Sequence, residues 1–390
     1  MSDVAIQDID LTSVTVRGAV EIERTPRGLR PHRLPAWARA QVPDTFMAQT
    51  SAESAGVRLA FRTAATTIEL EVSARRMAPD EASVLPPSRY ELTSDGVVVA
   101  DAGAVAGSRY LFTFEDPSGR TVDGPPSTVH FGGLPGIETE YELWMPFTDA
   151  VEILSLRADA PVTPPADREA FRWLHHGSSI SHGYSAESTT GTWPVVAALS
   201  TGVTLTNLAF SGSAMLDPFT ARTMRDQPAD LISLKVGINL VNGDTMRMRT
   251  FRPAVDGFLD TIRDGHPSTP IVVMSPIYCE PVELAAGPTM QDPARPYEWS
   301  IAGGTEADVV AGKLSLGAIR TALAEIVARR TATDPQLRYV DGLSLYGPAD
   351  AERMPLPDNL HPGPDVQRLI GERFADRVLR PLLDPLEVNA

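Results

Sequence analysis

Residues 175–183 read HHGSSISHG, with two adjacent serines, Ser178 and Ser179, directly behind a glycine that ends an apolar run. Gly177 lets the chain turn sharply there and present the next side chains. A serine so presented can act as a nucleophile when a base reaches it. By itself it could equally be a turn residue or a helix cap. A second segment, PDNLHPG at 357–363, holds Asp358 and His361 three positions apart. In a turn, residues at that spacing share a face. A carboxylate there can hold an imidazole in one tautomer and leave its other nitrogen free as a base. The alternative is a surface loop whose Asp358 caps a turn and whose His361 is solvated. Two further segments, NLAFSGSAM and VGINLVNG, offer Gly212 and Asn239 as hydrogen-bond donors to a developing oxyanion. Taken one at a time, each reads as an ordinary loop residue.

These residues need elements to hold them. From Phe171 onward strands and helices alternate. Apolar runs predict strands at 171–177, 203–210, 230–237, 270–278 and 337–342. Helical periods predict helices at 192–200, 250–264, 306–330 and 365–382. The second of these carries Phe251, Val255, Phe258, Leu259 and Ile262 on one face. Arg329 and Arg330 suit the negative end of the third. Such alternation implies a parallel sheet covered on both faces, with ligands at the carboxyl ends of its strands. Ser179, Gly212 and Asn239 each follow one of those strands, so topology places them on one rim. A helix is expected some residues after Ser179.

Residues 12–158 read differently. Short alternating runs at 57–63, 67–75, 96–103, 109–116 and 141–147 are separated by turn signals such as PSGR and GLPG, with no helical period. This predicts an all-β sandwich. The expected layout is a sandwich over 1–160, a proline-bearing linker at 161–169 and an α/β domain over 170–390.

Ser179, Gly212, Gly237-x-Asn239 and Asp358-x-x-His361, in that order and at strand ends, resemble the SGNH or GDSL-type hydrolase superfamily over about 170–385. The resemblance implies a flavodoxin-like three-layer α/β/α domain behind a jelly-roll-like sandwich. It implies Ser179 as nucleophile, Asp358 and His361 as the rest of a catalytic triad, and Ser179, Gly212 and Asn239 as the oxyanion hole. One departure stands out. The family's first block is Gly-Asp-Ser, and here it is Gly177-Ser178-Ser179. Matching Gly183 to the glycine four places after the family serine favours Ser179 over Ser178. Family members with a leading sandwich include bacterial carbohydrate esterases that remove acetyl groups. They also include GDSL-type acyltransferases of aromatic polyketide tailoring, the salicylyl-transferring kind of tetracycline-type pathways in particular. The resemblance implies an acyl-CoA donor as co-substrate, a small-molecule hydroxyl acceptor and no cofactor. A reading from another class is a non-catalytic protein whose sandwich recognises a glycan.

Other candidates lead away from this chemistry. His175, His176 and His182 flank the serine but lack Asp, Glu or Cys partners at metal-ligand spacing, so no metal is expected. They are expected to pack beneath the strand or line the site mouth. The lone cysteine, Cys279, reads as a small buried hydrophobe. The long stretch 276–305, with Tyr278, Met290, Tyr297 and Trp299, could cover the rim and touch an apolar substrate, or be a surface excursion.

Bulk properties set the outer limits. The chain has 390 residues, 43% of them hydrophobic, enough for two cores. A net charge of −16 disfavours nucleic acid and anionic membranes as partners. No apolar run is long enough for a transmembrane helix, and the first residues lack a secretion signal, so a cytoplasmic location is expected. Lys235 and Lys313 are the only lysines among 34 basic residues, a bias that reflects a GC-rich genome.

Overall fold

Along Thr67–Ala78 buried Ile68, Leu70, Val72 and Ala74 alternate with partly exposed Thr67, Glu69, Glu71 and Ser73. A strand with one face on a core requires that alternation. The same logic runs through the first of two units of this computed structural model. The structure describes residues 5–113, 116–167, 170–295 and 298–387. The first unit comprises Met1–Ala170 and Ser188–Thr190; the second comprises Phe171–Glu187 and Gly191–Ala390.

Two sheets build the first unit. One runs Arg120–Val122, Ser108–Leu111, Thr67–Ala78, Asp149–Ala158, Leu29–His32, Glu21–Arg24, with Gln7–Ile9 and Ser127–Gly132 paired off that path. The other runs Val162–Thr163, Arg58–Thr63, Thr139–Trp144, Ser88–Ser94, Val97–Ala104, with Thr15–Arg17 on Arg58–Thr63. Leu59, Phe61, Tyr141 and Leu143 of one sheet share a core with Leu70, Val72 and Ile153 of the other. Each large apolar side chain so buried contributes about 1.5–3 kcal/mol. Nearly all pairings are antiparallel; Thr67–Ala78 and Ser108–Leu111 run parallel.

Three features differ from expectation here. Ala36–Arg39 and Thr45–Ala52 are helices. The second is capped by Asp44, which accepts from Met47 N at 2.7 Å, and it buries Gln49, Thr50 and Ser51 beside Met47. Its buried face is mostly polar, so no apolar period announces it. Within the expected linker, Val162 and Thr163 pair with Thr63 and Arg62 as a short strand. Of the expected strand at 109–116, the described part forms a strand over Ser108–Leu111, and residues 114 and 115 lie outside the described residues.

The second unit holds a five-stranded parallel sheet in the order Thr204–Asn207, Arg172–Gly177, Leu231–Lys235, Ile271–Met274, Leu337–Val340. The chain leaves Arg172–Gly177 to one side and then crosses to the other. That reversal is the switch point at which open α/β sheets bind ligands. Both sheet faces are covered. Trp173 and His175 pack with Trp193 and Phe374, with ring centroids of Trp173 and Phe374 4.9 Å apart. His176 packs with Phe210 and Phe258. The helix Met248–Gly265 buries Phe251, Val255, Phe258, Leu259 and Ile262, the face its sequence period predicts.

The expected helix at 306–330 is two helices, Glu306–Val310 and Leu316–Arg330. Gly312 between them has φ +99°, a left-handed conformation that ends the first. Pro218–Asp226 and Ile238–Asn242 are helices without a counterpart in the sequence reading. No described helix is long and apolar enough to cross a membrane.

Candidate active site

Gly177 ends its strand where a Cβ would fall 2.5 Å from Ser181 Oγ, so only glycine fits. Ser178 follows as an extended N-cap, and a one-turn helix, Ser179–His182, begins at once. That helix starts at Ser179 itself and not some residues later. Gly183, with φ +123°, closes the turn. The two serines separate here. Ser178 is fully buried with an unpartnered hydroxyl, whereas Ser179 keeps 7% of its surface. It is Ser179 Oγ that lies 2.9 Å from His361 Nε2.

The loop before the helix Pro364–Phe374 supplies that imidazole. Asp358 Oδ1 accepts from the backbone N–H of Leu360 at 3.0 Å and of His361 at 2.6 Å. Its Oδ2 lies 2.7 Å from His361 Nδ1. Nδ1 therefore donates to the carboxylate, and Nε2 is the acceptor for the Ser179 hydroxyl. Both readings of Asp358 hold at once: one oxygen caps the turn and the other orients the ring. Burial pushes the Asp358 carboxyl up, but the ring and backbone donors of His361 outweigh it and hold the pKa below the usual carboxylate value.

The neighbouring strands bring two more residues. Gly212 has φ +66°. Gly237, at φ +131°, opens the helix Ile238–Asn242 and has no room for a Cβ, which would sit 2.9 Å from Ile319 Cγ2. Asn239 is buried, and its Oδ1 accepts from Ala214 N at 3.0 Å. That bond fixes the amide and leaves Nδ2 as its donor end. Among the described residues, Asn239 Nδ2 and the backbone N–H groups of Ser179 and Gly212 have no acceptor. Buried donors are ordinarily paired. Gly212 is half-buried while Ser179 and Asn239 are buried, and three open donors on adjacent strand ends suit a charge that arrives with a substrate.

Several holding residues escaped the sequence reading. The Tyr184 ring lies 4.3 Å from that of His361. Asn359, at φ +62°, donates from Nδ2 to Ser300 O at 3.0 Å, and Ser300 N donates to Asp358 O at 3.0 Å. Cys279 Sγ is 3.3 Å from Asn359 O. The stretch 276–305 thus ties down the loop that carries Asp358 and His361. Within it a hairpin pairs Thr289–Gln291 with Ser300–Ala302. Met290 is exposed, Trp299 lies under the Arg295 guanidinium, and Tyr297 falls outside the described residues. Burial pushes the Cys279 thiol up to about 12, so it stays protonated. No sequence period marks these tethers, because each is a single long-range contact.

The three histidines are all buried, His175 and His176 on opposite faces of their strand and His182 in the short helix after it. His175 Nδ1 is 2.7 Å from Ser233 Oγ, His176 Nδ1 is 2.7 Å from Leu208 O, and His182 Nδ1 accepts from Ser211 N at 3.2 Å. Lys235 is buried at the end of its strand, and burial lowers its pKa to about 8. The arrangement of Ser179, His361 and Asp358 can pass a proton from hydroxyl to imidazole while the carboxylate balances the imidazolium that forms.

Residues 176–369 match the GDSL-like Lipase/Acylhydrolase family. Over 98% of both chains, the protein is similar to a salicylyl-acyltransferase, SsfX3, from a tetracycline biosynthetic pathway, at 24% identity and a TM-score of 0.77. It is also similar to a family two carbohydrate esterase from Clostridium thermocellum, at 13% identity over 95% of this chain and 99% of that one, with a TM-score of 0.61. A family two carbohydrate esterase from Cellvibrio japonicus is similar at 14% identity over 98% of both chains, with a TM-score of 0.57. At these identities the likeness shows the fold. No curated protein matches the chain.

Proposed function

The second unit of this chain belongs to the GDSL-like lipase/acylhydrolase family, and from that premise we propose that Ser179 takes up an acyl group and passes it to a hydroxyl acceptor. The observation that carries this reading is the relay from Ser179 Oγ through His361 to Asp358, at 2.9 and 2.7 Å.

Each step follows from those atoms. His361 Nε2 takes the Ser179 proton as Oγ attacks the acyl carbonyl. The carbonyl oxygen becomes an oxyanion, met by Ser179 N–H, Gly212 N–H and Asn239 Nδ2. Removing one such donor typically costs about 3–4 kcal/mol in the transition state. The C–S or C–O bond then breaks, and the leaving group collects the proton from His361. An acceptor O–H gives its proton to His361 and attacks the acyl-enzyme, which restores Ser179. Water as acceptor makes an esterase; a bound alcohol that excludes water makes a transferase.

We favour transfer of an aryl group, salicylyl-like, from a CoA thioester to a hydroxyl of a polycyclic natural product. The support is the similarity along the whole chain to a salicylyl-acyltransferase. Acyl-CoA is then a co-substrate, and no cofactor takes part. A second reading, hydrolysis of sugar acetyl esters, draws on the similarity to carbohydrate esterases.

The test is intact mass after exposure to a panel of acyl-CoAs with and without a polycyclic alcohol. Adduct on Ser179 and acylated alcohol are expected. Free acid alone sinks the transferase reading. Rapid deacetylation of acetylated oligosaccharides, with no adduct from any acyl-CoA, would establish the second. A Ser179→Ala variant that still forms the adduct would overturn the assignment of the nucleophile.

A further inference from the structure

The alternation that buries Val72 and Ala74 turns Ser73 and Arg75 to the opposite face of the first unit's larger sheet. Their register partners continue that face across the strands: Ser108 lies beside Arg75, Ala150 beside Arg75 on the other side, and Glu152 beside Ser73. These residues line a cavity of about 640 Å³, walled along one side by Val42, Ala48 and Ser51. That is the size of a small-molecule site.

The lining is basic in a chain whose net charge is −16. Arg27, Arg30, Arg39 and Arg75 contribute to it against the carboxylates of Glu152 and Asp123. Three of the arginines are already paired. Arg27 and Arg30 both bind Glu152, and Arg39 binds Glu21 at 2.9 Å. Arg75 is not. Its Nε donates to Gln49 Oε1 at 2.9 Å, and its guanidinium stands 5.8 Å from the centre of the Tyr110 ring. Glu53 acts on it through space without an ion pair, and Gln49 Nε2 holds Glu53 Oε1 at 3.2 Å. Among the described residues, the two terminal nitrogens of Arg75 have no hydrogen-bond or carboxylate partner.

A half-buried guanidinium without a counter-ion is costly, and burial indeed lowers its pKa. Anchored at Nε and over an aromatic face, it presents its free fork in a fixed direction. That fork matches the two oxygens of a carboxylate or phosphate. We propose that the first unit binds a small organic oxyanion, carboxylate or phosphate, held by Arg75 in this cavity.

The full chain is titrated calorimetrically with benzoate, glucuronate, glucose 6-phosphate and inorganic phosphate at low salt. The expected result is one-to-one binding of at least one probe with a Kd below about 1 mM, weakened by added salt. Carboxylates binding alone would identify the headgroup as carboxylate, and phosphates alone as phosphate. Arg75→Gln should weaken binding at least about tenfold, the loss of one charge-assisted pair. Ser73→Phe fills the cavity and leaves Arg75 in place, so it should also abolish binding and serves should Arg75→Gln fail to fold. The proposal falls if no probe binds the wild-type chain, or if either folded variant binds as the wild type does.

Discussion

Asp358 holds His361 twice, through Oδ1 to the backbone N–H at 2.6 Å and through Oδ2 to ring Nδ1 at 2.7 Å. One carboxylate therefore sets both the path of the loop and the tautomer of the imidazole. The donors that lower its pKa keep it ionised at neutral pH, the state in which it can accept both bonds.

Ser179→Ala and His361→Ala should each cut kcat by about 10³-fold or more, and the double variant should lose little beyond either one, because the residues act as a unit. Steady-state kinetics on an activated ester reads this. Ser178→Ala should cost far less. Abolished activity in Ser178→Ala with retained activity in Ser179→Ala would shift the nucleophile by one residue.

Asn239→Ala should lower kcat by about 10²- to 10³-fold with KM little changed, since on the proposed mechanism its amide meets charge that exists only in the transition state. An equal loss expressed mainly in KM would mean that Asn239 binds ground-state substrate instead.

Tyr184 packs its ring 4.3 Å from that of His361. Such a contact is worth about 1 kcal/mol, so Tyr184→Ala should lower kcat about fivefold, and Tyr184→Phe should restore it. Failure of Phe to rescue would assign the effect to the hydroxyl.

Lys235 is buried with its pKa lowered to about 8. Between about pH 8 and its unfolded value of 10.5 the unfolded chain binds the proton and the folded chain does not, so stability rises with pH across that window. Below pH 8 both states are charged, and the folded state carries a constant penalty of roughly 3 kcal/mol. Lys235→Met should therefore be more stable than the wild type at pH 7 and flat between pH 8 and 10.5. Urea denaturation at pH 7 and pH 10 tests both; a wild-type stability that does not rise with pH would refute the buried charge.

The sequence by itself determined which residues stand at the strand ends. A buried parallel strand needs an apolar run, a sharp exit needs glycine, and a carboxylate and an imidazole three residues apart share a turn. On those local rules Ser179, Gly212, Asn239, Asp358 and His361 were each open to an ordinary loop reading, and only their order along the chain, through the family resemblance it carries, singled them out. Only the tertiary structure decided which serine meets the imidazole, because Ser179 Oγ and His361 Nε2 are 182 residues apart along the chain. The same holds for Tyr184 over His361, for Ser300 and Cys279 tethering the loop of Asp358, and for the guanidinium of Arg75 left without a counter-ion. Local spacing carries the period of an element and the chemistry of a turn. Where two distant side chains meet, and where one is left unpaired, depends on how sheets and helices pack, and that is a property of the whole fold.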